Sequence, residues 1–568
     1  MRREGIVMVN MRRIGARVCI CASAIGLSAC LDHPLKPVEY DSEGVGSGSL
    51  PLALNRDVDI LFVIDNSGSM AEEQATLARN FEQFIAVLER ADVNANYRIA
   101  ITTTDNANVS YCGENGPESG RFQLQSCRDR ANEFIYNGDD HFADACESVC
   151  DHPGLAVLPS WTSADKEEKP RPWIERNGSF TNLPDGITTS DAFECFGPQG
   201  IAGCGFESTL ESMRLALTRA ESAKELNYGF VRPNALLAVV LVTDEEDCSS
   251  RKDAEFATVW RPDGNKVFWS DANQDEPQPS SEVCWYAGVE CSGGPGTYDE
   301  CHPADLGIDG EPTDPDHSVL YSVQTYIDFL QKVEEQKRTY NSDAEVLVAV
   351  LSGVPAGYEK GMSEIVYHDG TGADAQYQLD NGIGPGCKSG NGLAVPPVRL
   401  RAFAEAFQLG DELADRNMYS VCEENYAPAL DQIASLIGKQ LRPPCMTSCV
   451  ADTDPVSKGL DPTCTLEESF ADVDGNMHEV KVPKCEGTTA QPHFPEGSEV
   501  CWIARTDGED DGDPDLTDDM NEACVEEGWN LEFEVLRTPE GERTGYSTVT
   551  ADCVVSQSPE TDCPNLGR

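Results

Sequence analysis

The segment that most constrains this chain is Ala235-Leu-Leu-Ala-Val-Val-Leu-Val-Thr243, eight apolar residues closed by a threonine. A short run of this kind, rich in β-branched residues, reads as a strand covered on both faces, as strands of a parallel sheet are. Three more runs share its character: Val58 to Ile64, Tyr97 to Thr103 and Glu345 to Leu351. Helical periodicity separates them. In residues 70–90, Leu77, Phe81, Phe84, Ile85 and Leu88 fall at i, i+4, i+7, i+8 and i+11, one stripe of an amphipathic helix. Glu207 to Ser222 reads as a second helix. Val319, Val323, Tyr326, Ile327, Leu330 and Val333 stripe a third, and helices at about 399–408 and 428–441 close the unit. Strand alternating with helix predicts an α/β fold over 54–441: an open, doubly wound, mostly parallel, Rossmann-like sheet.

Two long interruptions break the alternation, at about 105–200 and 249–317, both rich in Cys, Pro, Gly, Trp and Asp. Loops this long are functional or disordered, and their cysteines argue for stapled excursions. After Pro443-Pro444 the composition shifts. Residues 442–568 hold eight Cys, few helical patterns, and strand-like runs such as Leu531 to Leu536 and Ser547 to Thr550. They are expected to form a small, β-rich, Cys-rich C-terminal domain.

The N-terminus reads as a targeting segment. Arg12, Arg13 and Arg17 precede a short apolar run, Val18 to Leu27, too short to span a bilayer. Met11 is an alternative start, since 11–29 already make a complete signal. The run ends in Leu27-Ser28-Ala29-Cys30, which resembles the lipobox of bacterial lipoproteins. That resemblance implies a signal peptide over 1–29, lipidation of Cys30, and anchoring in the cell envelope, at the periplasmic face or the surface of an outer membrane. Residues 30–53, with Gly44-Val-Gly-Ser-Gly-Ser49, are expected to be a flexible tether.

Export fits the cysteine count. Of 23 Cys, two leave with the signal and Cys30 carries lipid; 20 remain, enough for up to ten disulfides. Zinc is the competing use of thiols, but Cys146-x3-Cys150 and Cys445-x3-Cys449 lack histidine partners. The net charge is −57, and loss of residues 1–29 takes it to about −61. Such a field repels nucleic acid and bare anionic membrane, leaving the lipid as the membrane contact. It suits a surface that holds divalent cations.

The first strand runs directly into Asp65-Asn66-Ser67-Gly68-Ser69-Met70, and Thr243 into Asp244-Glu245-Glu246. In a doubly wound sheet, ligands bind beyond the carboxyl ends of strands, where chain order reverses. If these two strands are neighbours, Asp65 and Asp244 emerge side by side. Two carboxylates and two hydroxyls then make a hard, all-oxygen site fit for Mg²⁺ or Mn²⁺, with Ca²⁺ as a further candidate. The neutral serine oxygens leave the cation a net positive charge and an open position. Helix capping is the bland use of the same residues. Thr102-Thr103-Thr104-Asp105 ends a strand on the same edge and reads first as a turn, with a ligand role as the lesser alternative. Eight acids between Asp507 and Asp519 lack EF-hand spacing and read as a solvated acidic loop.

Asp65-x-Ser67-x-Ser69 after a buried strand, with Thr243-Asp244 after another, resembles the metal-ion-dependent adhesion site of von Willebrand factor A (VWA) domains. The resemblance covers about 54–441 less the two insertions. It implies a cation held by Asp65, Ser67, Ser69 and Asp244, and a protein partner that completes the cation's shell with a carboxylate. The family usually places a Thr before the helix that begins near Glu207. Here the stretch is Gly200-Ile-Ala-Gly-Cys-Gly-Phe-Glu207, so Glu207 is the candidate substitute ligand. An extra carboxylate tightens metal binding and blunts its pull on an outside acid. Cys204 is expected to pair with Cys248.

These features predict a binding and adhesion protein. The alternative is a structural scaffold whose cation only stiffens loops. Catalysis is not expected, because the eight His are scattered and no His-Glu-x-x-His or Ser-His-Asp arrangement accompanies them.

Overall fold

The computed structural model describes residues 50–52, 56–90, 93–106, 118–162, 164–178, 180–233, 235–339, 345–389, 392–410, 416–441, 445–453, 460–471, 477–489, 491–506, 520, 524–525, 527–538, 541, 547–563 and 566. Cys30, the signal segment and the acidic stretch 507–519 lie outside them.

The elements follow the apolar pattern closely. Strand β1 (Leu50–Leu52) comes first, followed by β2 (Asp57–Ile64), α1 (Ala71–Leu88) and β3 (Asn96–Thr103). The first interruption carries β4 (Ile174–Asn177), β5 (Phe180–Thr181) and α2 (Thr189–Phe196). Next come α3 (Thr209–Ala220) and β6 (Leu236–Val242). The second interruption carries α4 (Glu282–Gly288) and the hairpin β7 (Val289–Gly293) and β8 (Tyr298–Pro303). The series ends with α5 (Val323–Arg338), β9 (Val346–Ser352), α6 (Val398–Glu405), β10 (Met418–Ser420) and α7 (Ala427–Gln440).

Seven strands form one mixed sheet in the order β10-β9-β6-β2-β3-β4-β5. The first five in that order run parallel; β4 and β5 are antiparallel additions. One face, with Val58, Ile60, Phe62 and Ile64, packs against Phe81, Phe84, Phe193, Ile433 and Ile437 of α1, α2 and α7. The other, with Leu61, Val63, Val239 and Leu241, packs against Met213, Tyr326, Leu330 and Phe403 of α3, α5 and α6. Helices on both faces explain why the central strands carry no polar alternation.

The interruptions hold more regular structure than their composition suggests. The first extends the central sheet: Arg98 of β3 pairs with Glu175 of β4 at 2.7 Å, both side chains almost fully buried. Phe193 of α2 stacks on Phe81. The second builds a cluster of its own around Trp260, Phe268, Trp269 and Val283.

Nine disulfides lie wholly among the described residues, five of them between 127 and 422: Cys127–Cys146, Cys150–Cys195, Cys248–Cys284, Cys291–Cys301 and Cys387–Cys422. The expected pairing of Cys204 with Cys248 is therefore wrong. Cys248 lies beside α4, whose Cys284 takes it, and Cys204 is bonded elsewhere.

Residues 445–563 form separate antiparallel sheets. Strands β11 (Cys464–Ala471), β12 (Met477–Val482), β13 (Val500–Arg505), β14 (Glu532–Arg537) and β15 (Ser547–Cys553) surround Leu466, Trp502, Phe533 and Val549. Four disulfides close this region on itself: Cys445–Cys524, Cys449–Cys563, Cys464–Cys553 and Cys485–Cys501. Each crosslink is worth about 2–4 kcal/mol by restricting the unfolded chain. The tether expectation needs one correction. Its last part is a strand, β1, paired antiparallel with β15, Leu50 opposite Ala551. A few residues on, Arg56 meets Glu532 of β14 at 3.3 Å.

Candidate metal centre

Strands β2 and β6 are neighbours, with Ile64 opposite Val242; Ile64 is likewise opposite Thr103 of β3. The chain runs from β2 to β3 on one side and returns to β6 on the other. The loops after β2 and β6 therefore leave the same edge at the point where winding reverses. Asp65 N–H still donates to Val242 O (2.9 Å), and Thr243 N–H to Leu351 O (3.1 Å), so both loop starts are fixed by the sheet ladder.

Asp65 is fully buried. Its Oδ1 accepts from Ser67 N–H (2.7 Å) and its Oδ2 from the Thr243 hydroxyl (2.5 Å). Each oxygen keeps a lone pair, and the two bonds lock the β2 loop to the end of β6. Burial pushes the Asp65 carboxyl above the ordinary range, with these bonds opposing it. Ser67 and Ser69 hydroxyls lie 3.1 Å apart; Ser67 is buried and Ser69 is exposed, so the loop opens to solvent at Ser69.

Asp244 is buried, and its Oδ1 has no hydrogen-bond partner among the described residues. Burial raises its pKa well above the usual range, as do the charges of Asp65, Glu245 and Glu73; the Ser69 hydroxyl works the other way. Glu207, fully buried, has one oxygen bonded by the Thr104 hydroxyl and the other, Oε1, without a partner among the described residues. Burial and the charge of Asp65 push it well up too. Burial also lifts Glu245 to about 8 and Glu73 to about 7. Burial is the largest influence on all five carboxyls, repulsion from neighbouring carboxylates adds to it at Glu73, Glu207, Asp244 and Glu245, and Lys and Arg are not among the principal influences. A buried carboxylate without a cation is costly; buried carboxyl oxygens left without a partner are the chemistry a hard divalent ion satisfies.

The residues of the acidic run after β6 divide their work. Glu246 accepts from Val398 N–H (2.6 Å) and Arg399 N–H (3.1 Å), capping α6. Asp247 pairs with the fully buried Arg399 (3.0 Å) and accepts from Leu210 N–H (3.0 Å) at the start of α3. Asp244 and Glu245 both feel the charge of Asp65, and Glu245 also accepts from the Ser281 hydroxyl (3.2 Å).

Thr243, Thr104 and Gln74 support the centre without having been expected to. Thr104, in the stretch read as a turn, orients Glu207, whereas Thr102 and Thr103 bond Arg121 O (2.9 Å) and Glu118 (2.6 Å). The buried Gln74 side chain donates to Asp65 O (2.6 Å) and Gly200 O (2.8 Å) and accepts from Gln199 N–H (2.8 Å). That joins the β2 loop to the stretch leading to Glu207. Gly203 completes the joint: its N–H donates to Asn66 O (2.9 Å), and a Cβ there would lie 2.4 Å from Asn66 Oδ1. A threonine or glutamine at a strand end or in a first helical turn reads as capping, which hides these roles in the sequence.

The expected residues thus share one edge, but the carboxyl groups do not crowd into one knot. Among the described residues no three His, Cys, Asp or Glu side chains converge as a self-sufficient metal cage. Serine hydroxyls would have to complete the shell.

No family model and no curated protein matches the sequence. Among solved structures, the pilus adhesin SpaC from Lactobacillus rhamnosus GG overlays with TM-score 0.27 and 9% identity, over 88% of this chain and 40% of that one. Its open conformation gives 0.26 and 9%, over 88% and 39%. The pilus adhesin RrgA from Streptococcus pneumoniae gives 0.25 and 8%, over 90% and 58%. The chain spans less than two thirds of each adhesin, and overlays this distant carry no argument about activity. Among the described residues no helix is long and apolar enough to cross a membrane.

Proposed function

We propose that this is a VWA-like, non-catalytic binding protein of the cell envelope, lipid-anchored through Cys30. It captures a protein partner's carboxylate through a divalent cation, Mg²⁺ or Mn²⁺. Asp65, Ser67, Ser69 and Asp244 would hold the cation, with Glu207 as a further candidate ligand. When bound, the cation would supply a positive centre that a partner's carboxylate can meet from the solvent side, where Ser69 is exposed. Asp65 fixes the loop, the serines contribute neutral oxygens, and Asp244 contributes charge. No bond of the partner breaks.

The observation that carries this reading is that two buried carboxyls, Asp244 and Glu207, each keep an oxygen without a partner among the described residues, and that the Ser69 hydroxyl bears on Asp244. Titration calorimetry on the oxidised chain tests it. Saturable Mn²⁺ uptake that Asp65→Ala abolishes, with the circular dichroism of the folded protein retained, supports it. Absence of uptake overturns it.

Glu207 favours a second reading. A fully buried extra carboxylate saturates a cation from within, which suits a scaffold whose ion stiffens loops. In that case the bound Mn²⁺ is indifferent to added carboxylate.

A further inference from the structure

A feature outside the metal ligands marks the mouth of the centre. Residues 135–140 of the first interruption form a short hairpin, Ile135–Tyr136 paired with Asp139–Asp140, turning on Asn137 and Gly138, both at positive φ. It is held from below by the fully buried Phe134 and by Cys127–Cys146. Its Tyr136 side chain lies against Gly68, between the two serines: a Cβ on Gly68 would come within 2.4 Å of the ring. Glycine at 68 is thus what lets the ring approach. Tyr136 is nonetheless 45% exposed, and its neighbour Ile135 44%. A large aromatic side chain hung over the loop that carries Ser67 and Ser69, yet left half in water, has surface to offer at the point where that loop meets solvent.

We infer that Tyr136 is a specificity residue of the proposed capture site, a wall that selects partner carboxylates carried next to an aromatic or aliphatic side chain. The inference rests on the cation reading above and adds the identity of the neighbouring group. A partner carboxylate that meets the cation from the exposed Ser69 side would bring its adjoining side chain toward Tyr136, which lies against Gly68. Edge-to-face or offset contact between rings, and removal of apolar surface from water, then add to the metal bond. The hairpin's other strand is Asp139-Asp140, so a partner surface with further acids is repelled. The occupant that fits is a single acid flanked by an apolar residue on an otherwise neutral or basic surface.

The test uses the full, oxidised chain loaded with Mn²⁺, following water-proton relaxation as acetate or phenylacetate displaces metal-bound water. Phenylacetate should act at a concentration about fivefold lower than acetate, the scale of one ring pair. Tyr136→Ala should erase that preference with Mn²⁺ affinity unchanged, and Tyr136→Phe should keep it. Equal potency of the two acids on the native chain, or a preference that survives Tyr136→Ala, overturns the inference and leaves cation binding standing. Failure of the chain to take up Mn²⁺ overturns both.

Discussion

The Thr243 hydroxyl, at the end of β6, donates to Oδ2 of Asp65, at the end of β2, across 2.5 Å. This bond ties together two loops 178 residues apart in sequence. It also sets which lone pairs of a buried carboxylate remain for a cation. Thr243→Val keeps the shape and removes the donor. It is expected to weaken Mn²⁺ binding about 10–100-fold, the usual effect of losing an outer-shell partner. Calorimetry on the two proteins measures this.

Glu73 gives a pH signature. Folding raises its pKa from the ordinary 4.5 to about 7, because the carboxyl is buried near Glu72 and Asp65. The folded state therefore holds the proton more tightly. Its contribution to stability is complete below the unfolded pKa and is lost as pH climbs through about 7. In EDTA, Glu73→Gln should leave stability unchanged at pH 4 and raise it at pH 8 by about 1–3 kcal/mol. Urea unfolding at the two pH values decides it.

Arg399 and Asp247 form a pair with both side chains fully buried. Arg399→Met leaves Asp247 charged, buried and unpaired, and loosens the loop that presents Asp244. The expected loss is about 3–5 kcal/mol, read from the urea midpoint.

Gly68→Ala drives a methyl into the Tyr136 ring, a half-exposed side chain that must turn aside, so it should destabilise the chain by about 0.5–1.5 kcal/mol, the scale of an off-rotamer side chain. In a Tyr136→Ala background the same change should cost little. Additive losses in the double-mutant cycle would show that the two residues are not in contact.

The central strands were legible because burial on both faces leaves an uninterrupted apolar run; Leu236–Val242 and Asp57–Ile64 lie within a residue or two of their expected ends. Strand β4, Ile-Glu-Arg-Asn, was not, because one of its two buried residues is Glu175, which pairs with Arg98 instead of with apolar neighbours. Strand β10 is three residues long, too short for any period. β1 looked like tether because its partner, β15, lies about 500 residues later. At the candidate centre, Asp65, Ser67, Ser69 and Asp244 could be read from strand ends. Thr243, Thr104 and Gln74 could not, since their roles depend on register between strands and on one loop reaching another. Tyr136 sits in a segment without periodicity, and nothing local announces that its ring reaches Gly68.

The most direct test of the central claim is anomalous scattering from crystals of the oxidised protein grown in Mn²⁺. The account predicts one strong peak at the edge where β2 and β6 end, within about 2–2.5 Å of the Ser67 and Ser69 hydroxyls and an Asp244 oxygen. A map with no peak there, at a Mn²⁺ concentration that saturates hard-oxygen sites, would contradict it.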